Sequence, residues 1–590
     1  MNKKILLILD IIGPFKAKTA IFFTLVTVMA AAEIVGISML LPIIGMAVGS
    51  VSSDNEYYRY LENIFSIVAE ENRFAILCLI FLVMILIKNI LYIASNSYAR
   101  YYSLLMQKRW TLGILDKYMH ADYSFVTSSK QGKLLNNLIY EPVRASKAIQ
   151  QLVMIISECI LALSIFLLLL LTNYIITLSI SAVILILVLL VKGISYRYAL
   201  SVGTQKVKIS QKFNIMAAEN INSIRQVKQL LLQNNVFDKF LFQMNKLVRI
   251  VTIFTIFRSS TRPVMETITM AIVVGILIYI YYYSQIDMIE IMPVLGLFLI
   301  SLQRLIPLAS RIFEGRMLIA SALPSLRLVI DLFSSEIKQE NLMGGKNILR
   351  IEQDIIFKNV NFSYDDSTHL FNNLSFRIHK QQTTAIIGAS GSGKSTIADL
   401  IYNLYSPHKG EITVNGINLT KIKLSDYRKL IGYISQDTFL FHTTVKENIT
   451  MGMDGVSNDK IIEIAKKSNA HEFIMKLPNG YNTVLGDRGM KISGGQRQRI
   501  AICRMLIRDP EMLIFDEATS SLDKKSEWLI QKSIDHLKGD KTVVIISHNL
   551  DTVKNADHII VLKDGKVVES GSYYELIEKH GIFYQMSNPQ

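Results

Sequence analysis

The chain has 590 residues, 51% of them hydrophobic, and a formal net charge of +15. That length exceeds one ordinary domain, and the apolar share is too high for a wholly soluble enzyme, so a membrane part joined to a soluble module is expected. The basic excess lies mainly beside the apolar runs, where membrane orientation and anionic lipid account for it; nucleic-acid binding is the weaker reading.

In chain order, Lys3 and Lys4 followed by Ile5 to Leu9 form a stretch too short to span, without a small-residue cleavage site, which suits an interfacial helix. Six apolar runs follow, roughly Thr19 to Val48, Phe74 to Ala94, Val153 to Leu171, Ile175 to Lys192, Val264 to Tyr283 and Met292 to Leu308. About 20 such residues cross a hydrocarbon core, so six spans are expected. Ala99 to Gln150 and Gly193 to Arg258 are rich in Lys and Arg, whereas Asp54 to Glu71 is mostly acidic. The positive-inside rule therefore places the basic segments and both termini in the cytosol. Their turning points are expected near Asp122 to Ser128 and near Asn214 to Ser223. Tyr57 to Val68 carries Tyr58, Leu61, Phe65 and Val68 at helical spacing, as an ordinary amphipathic loop helix would. Cys78, Cys159 and Cys503 are scattered without metal-ligand spacing, so neither a disulfide framework nor a zinc site is implied.

Ionisable groups within the apolar runs are costly unless they face a cavity or a partner. They are Glu33, Lys88, Glu158, Arg262, Glu266, Arg304 and Arg311. Arg304 and Arg311 are seven residues apart and share a helical face, with Pro307 between them expected to kink the helix. Two readings stand: a cationic stripe facing a cavity that takes an anionic substrate, or cations that snorkel or pair with the glutamates.

Composition shifts after Leu332, and the polar stretch 333–350, with Gly344 and Gly345, reads as a linker into a module covering 351–590. There, strand-like Thr384 to Ile387 leads into Gly388-Ala389-Ser390-Gly391-Ser392-Gly393-Lys394-Ser395 and a helix starting near Thr396. This is the strand–loop–helix context of a phosphate-binding P-loop. Its backbone N–H groups close on phosphate oxygens, Lys394 reaches the β and γ oxygens, and Ser395 ligates Mg2+. Met512 to Phe515 ends in Asp516-Glu517, placing one carboxylate to hold Mg2+ and the next to polarise an attacking water. Ser493-Gly494-Gly495-Gln496 opens a second helix, again suited to an anion, although alone it reads equally well as a helix cap.

Together these motifs resemble those of the ATP-binding cassette family, in the same order, from Ile351 to about Ser587. The resemblance implies an all-α membrane domain, residues 1–332, with six transmembrane helices and long cytosolic helical extensions, fused to a cytosolic α/β P-loop cassette that hydrolyses ATP with Mg2+. It assigns Tyr364 to adenine stacking, Gly388, Ser390, Gly391, Ser392, Gly393, Lys394, Ser395 and Thr396 to the phosphates, and Ser493, Gly494, Gly495 and Gln496 to the signature that completes a second subunit's site. Glu517, His548 and Gln436 are then catalytic, with Ser395, Gln436 and Asp516 at the metal. Ser521-Leu522-Asp523 resembles the loop that links the two sites. Ile492 stands where the family's signature most often has Leu, a volume-conserving difference. Gly486-Asp487-Arg488-Gly489 resembles a loop carried by exporters. One cassette per chain implies a dimer, with two intact sites favouring a homodimer.

A narrower resemblance is carried by Ala32-Glu33 to Pro42, Ser157-Glu158, Arg262 with Glu266, and Arg304-Leu305-Ile306-Pro307 through Arg311. These are similar to the bacterial lipid-linked oligosaccharide flippases of protein N-glycosylation. That resemblance implies a polyprenyl-pyrophosphate glycan as substrate, its pyrophosphate met by Lys88, Arg262, Arg304 and Arg311 and its tail by a short external helix over Tyr57 to Val68, and a prokaryotic inner (plasma) membrane location. An exporter of peptides or amphipathic drugs is the alternative.

Overall fold

The computed structural model describes residues 16–48, 70–172, 174–283, 288–335, 339–340, 342–364, 369–436, 438–517 and 524–587. The interfacial stretch before Lys16, the external helix over Tyr57 to Val68, and Ser521-Leu522-Asp523 lie outside them. The chain divides into two compact units, one of Met1–His120 with Val126–Ile337, the other of Lys338–Gln590 with Ala121–Phe125.

The first unit is helical. Among the described residues, five helices are long and apolar enough to cross a membrane, over Ala20–Ile44, Asn72–Met119, Gln131–Thr172, Gln233–Gly275 and Gly296–Ser334. The remaining expected run, Ile175 to Lys192, lies inside the helix Tyr174–Asn222. On the helix Glu70–Met119, Leu79, Leu82, Leu86, Ile90 and Ile93 are exposed at helical spacing, an apolar stripe that bare water would not tolerate and lipid would cover. Further along the same helix the pattern inverts: Tyr102, Met106, Trp110 and Ile114 are buried, the first three packing with Ala145, Ile149, Val329 and Ile330.

One expectation is corrected here. The second turning point falls later than Asn214 to Ser223, because the helix continues to Asn222 and reverses through the short helix Ile224–Gln229 before Gln233–Ser259. No Gly or Pro interrupts the segment, and Leu231 turns the chain in a left-handed conformation at φ 53°. The helix Met288–Ser334 continues through Pro307. Arg311 Nε donates to the Pro307 carbonyl at 3.3 Å, supplying that oxygen with an additional side-chain donor.

The second unit is α/β. A six-stranded sheet has the order β10-β9-β3-β8-β7-β6, and β1 (Ile355–Phe362), β2 (Phe371–Ile378), β4 (Lys409–Val414) and β5 (Ile417–Asn418) form a four-stranded antiparallel sheet in the order β2-β1-β4-β5. In the larger sheet β3 (Thr383–Gly388), β6 (Ile431–Ile434), β7 (Met512–Asp516), β8 (Thr542–Ile546) and β9 (His558–Lys563) run parallel, with β10 (Lys566–Gly571) antiparallel on β9. Every residue of β3, β7 and β8 is buried, as a parallel sheet covered on both faces requires, which explains the apolar runs 385–387, 512–515 and 543–546. The carboxyl ends of β3, β8, β7 and β6 therefore open side by side on one edge, where α/β sheets place ligands.

Candidate active site

Those strand ends carry the predicted motifs. Beyond β3 the loop passes directly into the helix Lys394–Ile401, two residues earlier than the expected start at Thr396. Gly393 is the N-cap at φ 97°, and a Cβ there would lie 2.5 Å from the Phe371 ring, so only glycine fits. Lys394 Nζ donates to the Gly388 and Ala389 carbonyls, 3.0 Å each, which folds the loop around its ammonium. The Ser392 hydroxyl is buried without a hydrogen-bond partner, an orphan that a phosphate oxygen would satisfy.

At the end of β7, Asp516 Oδ1 accepts from Ser395 Oγ at 3.0 Å. Glu517 then turns out of the strand with φ 45°, a left-handed conformation rare for a residue with a side chain, while its N–H bonds the Ile546 carbonyl at 2.9 Å. Its carboxylate accepts from Gln436 Nε2 at 2.7 Å and lies 3.6 Å from His548 Nδ1. The three residues expected at the reaction centre thus arrive from three different strand ends and meet at one carboxylate.

Electrostatics argue for a cation here. Burial raises the Asp516 carboxyl above its usual range, opposed by the Ser395 hydroxyl. Burial and the neighbouring Asp516 push Asp399 up to about 6. A divalent ion would relieve this crowding, and Ser395, Asp516 and Gln436 offer the hard oxygen donors that Mg2+ takes. Tyr433 is a residue the sequence reading missed: its hydroxyl sits 3.4 Å from both Asp399 and Asp516. A polar-tipped aromatic on the strand pairing with β7 is the signal that would have found it.

Tyr364 Oη is 2.8 Å from Thr396 Oγ1, and its ring packs edge-on against Tyr405, beside a cavity of about 630 Å3 lined also by Phe362 and His408. Tyr364 is 58% exposed as a residue, which leaves room for a flat ligand beside it. Ser493 caps the helix Gly494–Leu506 in a capping box with Gln496, so this motif is a helix cap, with Ser493 exposed, Gly494 half-buried and Gly495 buried. Ile492 is buried, as its apolar character requires. The Asp487–Gly489 turn holds Arg488 at φ 50°.

In the helical unit the expected substrate cations are not bare. Glu33 lies 3.2 Å from Lys88 and 3.8 Å from Arg304, and Glu158 lies 3.1 Å from Arg311. Arg311 also donates to Tyr92 Oη at 2.5 Å. The reading in which cations pair with intramembrane glutamates therefore holds for these three. Arg262 and Glu266 are both exposed.

The comparisons with known proteins agree with this geometry. Residues 371–520 match the family model described as ABC transporter, and residues 18–304 that of the ABC transporter transmembrane region. The heterocyst differentiation ATP-binding protein HepA of Nostoc sp. is 31% identical over 79% of this chain and 76% of its own length. The multidrug resistance protein pgp-1 of Caenorhabditis elegans is 42% identical over 42% of this chain and 19% of its own. The structure of a bacterial Atm1-family ABC exporter with ATP bound superposes with a TM-score of 0.77, at 20% identity, over 97% of this chain and 98% of that one.

Proposed function

The chain belongs to the ABC transporter family, as an exporter-type half-transporter that couples ATP hydrolysis to movement across a membrane, and from that premise we propose that it flips a lipid-linked oligosaccharide carried on a polyprenyl diphosphate. It acts as a homodimer in the inner membrane of a prokaryote, with its ATP-binding domain in the cytosol. The observation that carries the catalytic assignment is the meeting of Gln436 and His548 on Glu517 beside the Ser395–Asp516 pair.

In this reading Glu517 takes the proton of the attacking water, and Gln436 and His548 hold its carboxylate in place. Lys394 exchanges its two carbonyl partners for β and γ phosphate oxygens, and the Ser392 hydroxyl gains its missing partner. Bound Mg2+ supplies neutralisation of the phosphate charge; Ser395 and Asp516 would hold it, with Gln436 alongside. Tyr364 stacks on adenine. Ser493, Gly494, Gly495 and Gln496 close the site of the second copy.

For the substrate, Lys88 and Arg304 flank Glu33 and, with Arg311 two turns on from Arg304, make a cationic face, while Arg262 is a further exposed cation on the helix Thr261–Tyr283. An ionised phosphate is the chemistry such a face meets. The pairing of three of these cations with Glu33 and Glu158 favours a second reading, an exporter of peptides or amphipathic drugs in which they only tie helices together. ATPase activity in lipid nanodiscs separates the two. Stimulation by a polyprenyl diphosphate glycan that disappears when Arg304 and Arg311 are replaced is the expected result; stimulation by peptides or drugs alone would move the assignment to the second reading.

A further inference from the structure

Glu33 and Glu158 are buried, their side chains 7% and 4% exposed, whereas their partners Arg304 and Arg311 remain 38% and 41% exposed. Each carboxylate therefore sits behind its arginine and leaves the outer side of the guanidinium open. Glu33 stands on Lys16–Ser38, Lys88 on Glu70–Met119, Glu158 on Glu141–Thr172, and both arginines on Met288–Ser334, so the cluster joins four helices. Ala32, Gly36, Phe81 and Met84 line a small cavity with Glu33 and Arg304. Tyr92 occupies one further donor of Arg311. Glu158 uses one oxygen for Arg311 and leaves the other buried without a hydrogen-bond partner.

We propose that Glu33 and Glu158 tune how tightly the anionic head group is held: they divide the charge of Lys88, Arg304 and Arg311 from behind, so that a diphosphate is captured from the open side and still released. This rests on the lipid-diphosphate reading above. Three cations against two carboxylates leave one net positive charge, 3 − 2 = +1. Without the carboxylates three bare cations would bind a diphosphate too strongly for a transport site, which must be occupied and vacated in every cycle. The carboxylates also spare the empty cavity the cost of unpaired buried charge.

The test measures nanodisc ATPase stimulation by a polyprenyl diphosphate bearing a short oligosaccharide, in wild type and in Glu33→Gln, Glu158→Gln, Glu33→Asp and Glu158→Asp. The Gln variants are expected to lower KM for the lipid at least several-fold and to lower kcat with it, because release slows, while the Asp variants stay near wild type. A role confined to holding helices together lowers the thermal midpoint and leaves KM unchanged or raised, which overturns the proposal. If Glu158→Gln fails to fold, Glu33→Gln against Glu33→Asp carries the comparison. Polyprenol, the same tail without phosphate, should respond identically in all variants; a matching fall in its KM would assign the effect to packing and also overturn it. A wild type stimulated by the lipid diphosphate but with unchanged KM in folded Gln variants removes this inference alone. A wild type stimulated by no polyprenyl diphosphate removes the substrate reading and this inference together.

Discussion

Left-handed backbone at Glu517 and Gly393 shows where the site cannot drift. Glu517 adopts φ 45° at the end of a fully buried strand, so its carboxylate leaves the strand at an angle set by the fold rather than by its own rotamers. Glu517→Gln keeps the shape and the Gln436 side of the contact but removes the proton acceptor. Turnover should fall by about 10²- to 10⁴-fold, with binding of a non-hydrolysable ATP analogue retained; near-normal hydrolysis would reassign the base. Gly393→Ala places a methyl against the Phe371 ring and forces alanine to φ 97°. It should destabilise the loop by about 1–3 kcal/mol and weaken ATP-analogue binding, measured by equilibrium titration. An unaffected affinity would mean that the loop relaxes freely.

Elements differ in how far the sequence betrays them. The cassette motifs were legible because each is a contiguous pattern tied to one strand–loop–helix junction: Gly388 to Ser395 after β3, Asp516-Glu517 closing β7. The capping box was legible too, since Ser493 and Gln496 stand three apart. Ser493→Ala should cost about 1 kcal/mol at that helix start and raise hydrogen exchange of the Gly494 to Arg497 amides; unchanged protection would show that the glycines alone hold the turn. What escaped the sequence depends on helix rotation and long-range assembly. Glu33, Lys88 and Arg304 meet across some 270 positions of chain (304 − 33 = 271), and no local pattern announces that. The second turning point was misplaced because helical patterning continues smoothly to Asn222, and Leu231 makes the turn without Gly or Pro. Tyr433 was overlooked because a strand tyrosine is ordinarily a packing residue, and only its distance to two carboxylates marks it otherwise.

At the scale of the whole molecule, the proposed homodimer sets the P-loop of one copy against the signature of the other. Glu517→Gln incubated with ATP and Mg2+ should therefore trap a particle of twice the chain mass of 66.9 kDa with the two cassettes closed together, read by light scattering and by cross-linking of a cysteine placed near Ser493. Chelation of Mg2+ should abolish hydrolysis, because the crowded Asp399, Asp516 and Glu517 carboxylates then face the phosphates without a neutralising ion. Persistent hydrolysis in excess chelator would exclude the metal assignment.

The helix Glu70–Met119 has 50 residues. At about 1.5 Å per residue it is a rod of about 75 Å, of which a bilayer core occupies about 30 Å. The rest is a handle. Because Tyr102, Met106 and Trp110 bind that handle to its neighbours as one packed bundle, it resists bending, and a rotation of a few degrees at the membrane end becomes a sweep of several ångströms at the far tip. Helix length thus acts as a gear ratio: removing whole turns from the handle would shorten the stroke without touching either chemical site.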